Sequence, residues 1–509
     1  MMKTTTIKKW FKRISLSVVI LAGITYFYID YQLSQMYGGY TQVVNAEQFQ
    51  MPQANLAFIN ATVLAEDGLR MLTEQTVVID EGMIIAVGND VQIPTNAKII
   101  DAQGKYLIPG LIDSHVHLVE SPNDLLLYVA NGITQVREMM GNELHLKWRE
   151  EIKNGRIGPK LFVATAKLET SSTLAGWFNH WTRKDININT TAKAQKILQD
   201  SKEQGFDAVK LGSLFAIKHY REVSESSKNV DIPIIGHITL EGRLSDLFKG
   251  NQKEVAHIEE LTKLLDLEFG GYSSKNADEF LAFVQQRSDE VASQLVKHNI
   301  AVISTLHLME TFVRQKHELD TILAEIQLPY ANPGITEGTP LTSRGLGWIG
   351  KVNRYRLHDD YPKNRLEGNK IYWNTYVKAQ KIMLKKMLQH NAIILVGTDA
   401  NAPVMVPGFS LHEEFITLSQ SGMQNAQILQ SSTAIPAQWM QQKSGIIKQG
   451  YRADLVLLNK NPLINIENTK SINTVILNGK VLNRQKLDTM LAAVKNANDE
   501  SRNVDISNL

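Results

Sequence analysis

Six residues in this chain have the types and the settings to hold metal ions. His115 and His117 stand two apart in GLIDSHVHL. That run reads as a strand, and a period of two points both imidazoles to one face. Lys210 closes the apolar run in FDAVKLGS. A lysine buried there is costly unless it is paired, ligating or modified. His237 follows IPIIG, His257 lies in KEVAHIEE, and Asp399 comes just after AIILVGT. A His-x-His pair alone is a weak signal. Four imidazoles, a carboxylate and a lysine on five strand ends are a stronger one. They offer nitrogen and oxygen donors suited to Zn²⁺, Mn²⁺, Co²⁺ or Fe²⁺.

The elements that must position them are legible as a pattern. After Gly110, short apolar runs alternate with helical stretches: GLIDSHVHL, GITQVREM, PKLFVATA, FDAVKLGS, IPIIGHITL, KEVAHIEE, NIAVISTLHL and AIILVGTDA. Alternating strand and helix units imply a parallel sheet. Eight of them predict a (β/α)₈ TIM barrel over 111–443, with each candidate ligand at the C-terminal end of a strand, where barrel enzymes place their chemistry. Short β-rich runs with Gly-containing turns precede and follow the barrel. They predict a discontinuous β-sandwich domain from 54–110 and 444–485, giving an α/β fold overall. The stretch 330–375, rich in Gly, Asn and Tyr, reads as an insertion that is either a lid or binding loop or a surface decoration. Residues 486–509 read as a polar tail, a terminal helix with a frayed end.

Lys+Arg total 54 and Asp+Glu 52, a net charge of +2. Such a balance argues against a nucleic-acid partner. The chain has no cysteine, which excludes disulfides, thiolate metal sites and a cysteine nucleophile. Lys3, Lys8, Lys9, Lys12 and Arg13 precede an uncharged stretch from Ile14 to Ile29. Its length falls between a signal-peptide core and a comfortable membrane span. No cut near Gly23 leaves small residues at both required positions, and Tyr26, Phe27 and Tyr28 resemble an interfacial belt. The favoured reading is an uncleaved anchor over 1–30 with a linker at 31–53; a cleaved signal and a buried helix are the alternatives. Either of the first two places the remainder outside the cytoplasm, on the periplasmic side if the cell is a Gram-negative bacterium.

KYLIPGLIDSHVHL, NGITQVRE, DAVKLGS, GHI, AHIEE, VGTDAN, LHEEFITLSQSGM and IKQGYRADLVLLNKNPL together resemble the amidohydrolase superfamily of metal-dependent barrel hydrolases, most of all its imidazolonepropionase-like and prolidase-like branch. The resemblance spans about residues 55–485. It implies that His115 and His117 bind one divalent metal, that His237 and His257 bind a second, and that Lys210, carboxylated on its side-chain nitrogen, bridges both. Asp399 would bind the first metal and act as general base and acid. The expected activity is hydrolysis of a C–N amide bond in a small molecule, with zinc the favoured metal and a dipeptide or N-acyl amino acid the favoured substrate. A lactonase or esterase on the same site and a barrel that binds without turnover are the competing readings. An unmodified Lys210 paired with Asp399 is the alternative for that residue.

Weaker candidates for substrate contact are Lys167, Glu169, Trp177 and His180 after the third strand, and His307 at the seventh. Each has a bland alternative: the tryptophan packs the loop, and His307 is a satisfied barrel histidine. Arg137 and Glu138 read as a structural pair, and Glu259 and Glu260 as a solvated helix start. Homo-oligomerisation is compatible with the sequence. HITLEGR after the fifth strand departs from the prolidase pattern and counts against proline-dipeptide specificity.

Overall fold

The computed structural model of the chain describes residues 2–341 and 346–507. Residues 342–345 of the expected insertion therefore lie outside the described residues, as does the end of the tail.

All eight predicted strand segments are strands, and they run parallel. Leu111–Val116 pairs with Ile133–Gly141, which pairs with Lys160–Thr165. Val209–Leu211 pairs with Ile234–Gly236. Glu254–Val255 pairs with Ala301–Ile303, and that strand with Ile394–Leu395. These ladders are three separate sheets in hydrogen-bonding terms. Single parallel bridges, Ala164 to Ala208, Ile234 to Gln252 and Val116 to Ala400, connect one to the next. The strands are nearly all buried on both faces, which is why they read as unbroken apolar runs. Helices between them are started by local chemistry. Asn142, Ser172 and Thr190 accept the backbone N–H of Leu144, Ala175 and Lys193, each supplying an N-terminal cap.

The third unit is elaborated. After Lys160–Thr165 the chain forms Leu168–Glu169, the helix Thr173–Arg183 and Ile186–Asn187, and the two short strands pair in parallel. Leu168 also pairs with Leu211, so this excursion continues the sheet that carries Lys210.

Strands from the two chain ends interleave in one sheet. Its order is Lys480–Asn483, Ile472–Leu477, Leu455–Leu458, Tyr106–Pro109, Leu56–Leu64, Met71–Asp80 and Met83–Gly88, with Lys98–Asp101 also on Leu56–Leu64. Strands from both chain ends thus share one continuous hydrogen-bonded ladder. Its first strand changes partner around Asn60, whose φ is +52°: Leu56–Ile59 pair with Lys98–Asp101, and Thr62–Val63 with Tyr106–Leu107. Leu56, Phe58, Val77, Ile79, Ile84, Leu107, Leu455 and Ile476 form its core.

The N-terminal helix runs without a break over Met2–Met36, and Lys9–Met36 is long and apolar enough to cross a membrane. The expected linker is not loose. Leu33 and Met36 are buried, Thr41 Oγ1 donates to Asn332 Oδ1 at 2.6 Å, and the backbone N–H of Val44 donates to Asn123 Oδ1 at 2.9 Å. The tail likewise packs: Arg484–Ser501 is a helix that buries Leu487, Met490 and Val494. Around 330–375, Ile335, Trp348 and Ile349 pack against Val404, Met405 and Val406, just beyond Asp399.

Candidate metal centre

His115 lies inside its strand, Lys210 inside the fourth, His237 directly after Gly236, His257 two residues after Val255, and Asp399 four residues after Leu395. The backbone delivers them to one place. Gly236 has φ +110°, and a Cβ there would come within 2.9 Å of Lys210 Cγ and 2.5 Å of the Leu211 carbonyl oxygen. Only glycine fits so close to the neighbouring strand. A Cβ on Gly397 would meet His115 Cβ at 2.8 Å, so the strand before Asp399 can press against the histidine strand.

His117 Nε2 is 2.8 Å from Asp399 Oδ1, and His115 Nε2 is 3.4 Å from the same oxygen. Lys210 Nζ lies 3.4 Å from His115 Nε2. The His115 and His257 rings are 4.6 Å apart between centroids, and those of His257 and His237 are 5.4 Å apart. All six residues therefore gather in one cluster. One ligand atom each from His115, His117 and Asp399 lie within 4.8 Å of one another.

The protonation states suit a cation. Burial drives the His115 imidazole well below its ordinary value, and the Lys210 charge pushes the same way. His257 falls to about 3, again chiefly through burial, and burial also lowers His237. Burial opposes ionisation of Asp399, but the His117 hydrogen bond and the surrounding imidazoles outweigh it and hold the carboxyl well below its usual range. Burial brings the Lys210 ammonium down to about 8. Neutral imidazoles and an ionised carboxylate are the ligand forms metals take. His115 Nδ1 and His117 Nδ1 are buried with no hydrogen-bond partner among the described residues. The donor set of His115, His117 and Asp399 thus fits a divalent metal.

A second layer orients the histidines. His237 Nδ1 donates to Glu260 Oε1 at 2.9 Å, and His257 Nδ1 is 2.9 Å from Thr305 Oγ1. With Nδ1 engaged, Nε2 is the nitrogen left on each ring that could meet a metal. Burial alone would raise Glu260, but the His237 and Lys263 partners hold it far below the usual carboxylate range. Glu260 is thus a buried partner of a site histidine, not part of a solvated helix start. Its signal was its place three residues after His257, in the first turn of Ile258–Phe269. Thr305 gave no sequence signal.

Arg137 and Glu138 do not pair with each other. Arg137 forms a fully buried ion pair with Glu254 through Nη2 and stacks its guanidinium over Phe162 and Trp439. Glu138 instead accepts the backbone N–H groups of Leu118 and Met140, fixing the loop after His117. Among the weaker candidates, Glu169 is buried, and burial raises its carboxyl to about 7. A Cβ on Gly212 would collide with that carboxylate, which places it beside the Lys210 strand end. Lys167 Nζ approaches Asp185 Oδ1 at 4.0 Å. His307 is held by Thr417, and its backbone N–H by Glu414. His180 Nδ1 contacts the Asp185 carbonyl oxygen. Trp177 is exposed and lies against Trp181. A cavity of about 890 Å³ lies at the opposite strand ends, lined by Pro233, Lys253, Asn299 and Asn391, away from the cluster.

Residues 295–482 match the amidohydrolase family. A dihydroorotase of Trichlorobacter lovleyi is 40% identical over 68 residues, 12% of this chain and 16% of that protein. An imidazolonepropionase of Vibrio cholerae is 40% identical over 52 residues, 10% of this chain and 13% of that one. The chain spans about a sixth or less of the curated relatives it matches. Solved structures align over far more of it. Bottromycin amidohydrolase superposes with a TM-score of 0.66 at 17% identity, over 89% of this chain and 92% of that one. A prolidase complexed with N-methylphosphonate-L-proline gives 0.61 at 15% identity, over 85% and 100%. At such identities the likeness speaks for fold: a TIM barrel with an additional domain.

Proposed function

We propose that this chain, an amidohydrolase-superfamily protein by its match over residues 295–482, is a membrane-anchored, two-metal hydrolase that cleaves a C–N amide bond in a small molecule. The observation that carries the reading is the convergence of ligand atoms from His115, His117 and Asp399 within 4.8 Å, with Lys210, His237 and His257 alongside. His115, His117 and Asp399 would hold one metal. His237 and His257 would hold the other. Lys210, its amine brought toward neutrality by burial, would react with CO₂ to give the carbamate that bridges them.

Bound there, divalent metals such as zinc would acidify a water and polarise the scissile carbonyl. Asp399 would take the proton of the attacking water and return it to the leaving amine nitrogen. Glu260 and Thr305 would keep His237 and His257 in the tautomers that expose Nε2. The bridges at Ala164, Ile234 and Val116 support a closed eight-stranded barrel around this centre. Trp10 and Phe11 before the apolar stretch, and Tyr26, Phe27 and Tyr28 at its end, support a helix retained in a membrane, with the barrel outside the cytoplasm. A dipeptide or an N-acyl amino acid remains the favoured substrate.

The test is metal analysis of the full chain in detergent, purified without chelator and with bicarbonate present. About two transition metals per chain are expected. About one would make Lys210 an unmodified lysine, and none after metal is offered would overturn the hydrolase reading. Amide and lactone substrates compared at equal metal loading then decide the bond.

A further inference from the structure

The helix Thr173–Arg183 presents its apolar stripe to the outside. Leu174, Trp177, Phe178 and Trp181 occupy positions i, i+3, i+4 and i+7, the spacing that normally faces a core. Here Leu174 is 79% exposed, Trp177 59% and Phe178 53%. The side turned to the protein is the small one: Gly176 is buried, so close to Asn187 that a Cβ would collide with its amide. A soluble protein rarely leaves such a patch uncovered.

The patch is continuous with the apolar helix that precedes it in the chain. The Trp181 indole stacks on Tyr26 at 5.0 Å between centroids, and its Nε1 donates to Asp30 at 3.2 Å. Trp177 and Phe178 lie 5.8 and 6.2 Å from Trp181. Tyr26 is three residues before Ile29, the end of the uncharged stretch, hence about 4–5 Å along the helix axis. Trp181 is therefore level with the border between acyl chains and headgroups. The exposed stripe also meets the rim of the metal centre. Thr170 donates its N–H to the Leu214 carbonyl oxygen, and Leu240 to that of Ser213. The loops after the third, fourth and fifth barrel strands are thus tied together, and they expose Leu214 and Leu240 as well.

We propose that the helix Thr173–Arg183 lies in the membrane surface beside the N-terminal helix, as an interfacial amphipathic helix, and holds the ligand-bearing ends of the strands against lipid. This rests on the reading of the N-terminal helix as a retained anchor. Molecules that partition into the headgroup layer would then reach the metal centre without leaving the membrane.

The absence of cysteine makes the test clean, because one introduced thiol is the only one. Full-length Leu174→Cys, Phe178→Cys, Val18→Cys and Lys196→Cys chains are each labelled with a fluorophore. They are then reconstituted into phosphatidylethanolamine–phosphatidylglycerol vesicles containing nitroxide-bearing lipid. Labels at 174 and 178 are expected to lose most of their emission, as the label at 18 does, while the label at 196 keeps it. Quenching at 18 with full emission at 174 and 178 overturns the inference and leaves the anchor standing. Full emission at 18 removes the anchor and the inference with it. Equal quenching at 196 overturns the proposed orientation.

Discussion

Asp399 is the proposed general base, and its loss should separate metal binding from turnover. Its carboxylate is held ionised against burial by His117 and its neighbours. Asp399→Asn keeps the shape and an oxygen ligand but lacks the basic oxygen. It is expected to retain part of the metal and to lose about 10²–10⁴-fold in kcat, read from turnover and metal content on the same preparation. Arg137 is a second residue with a defined cost. Its only ion-pair partner among the described residues is the buried Glu254. Arg137→Ala would strand that carboxylate, and a loss of about 3–5 kcal/mol in unfolding free energy is expected. An Arg137→Met, Glu254→Leu double variant should recover most of it in the same denaturant titration.

At the level of elements, the seventh and eighth barrel units are coupled by one carboxylate. Glu414, on the helix Phe409–Gln420, accepts the backbone N–H groups of Leu306 and His307 at 3.0 and 2.6 Å. These open the helix Leu306–His317. Burial raises its carboxyl to about 7, above the unfolded value near 4.5. The protonated form is therefore favoured on folding, and the contribution to stability is fully present below about 4.5 and lost as pH rises through 7. Asp124, raised to about 7 by burial, acts in the same direction. Thermal midpoints of the wild type should fall between pH 5 and pH 8, and Glu414→Gln should fall less. The strand ends were legible in the sequence because strands buried on both faces leave apolar runs, and a polar residue closing such a run stands out. Partners of those polar residues were not legible. Glu254 for Arg137, Glu260 for His237 and Thr305 for His257 are set by three-dimensional closure across different units. Glu260 also looks like any acidic residue in a first helical turn.

On the scale of the whole molecule, the N-terminal helix is part of the folded body. Leu33 and Met36 are buried against it, and Ser34 Oγ donates to Glu120 Oε2 in the loop after His117. The polar composition of 31–53 concealed this, since its few apolar residues are spaced too widely to form a run. A chain beginning at residue 41 forfeits two buried apolar side chains, each worth about 1.5–3 kcal/mol. It is expected to melt below one beginning at residue 31, in scanning calorimetry of the two truncations.

The sheet shared by the two chain ends has a temporal meaning. Tyr106–Pro109 finds its antiparallel neighbour only in Leu455–Leu458, so the first half of that sheet must wait for the whole barrel to emerge. Until then it presents an unpaired, apolar strand edge, the kind of surface on which chains aggregate. Any chain released early, by a premature stop or by a nick before residue 455, is left with that edge open. Completion of the last strands is thus the event that closes the edge.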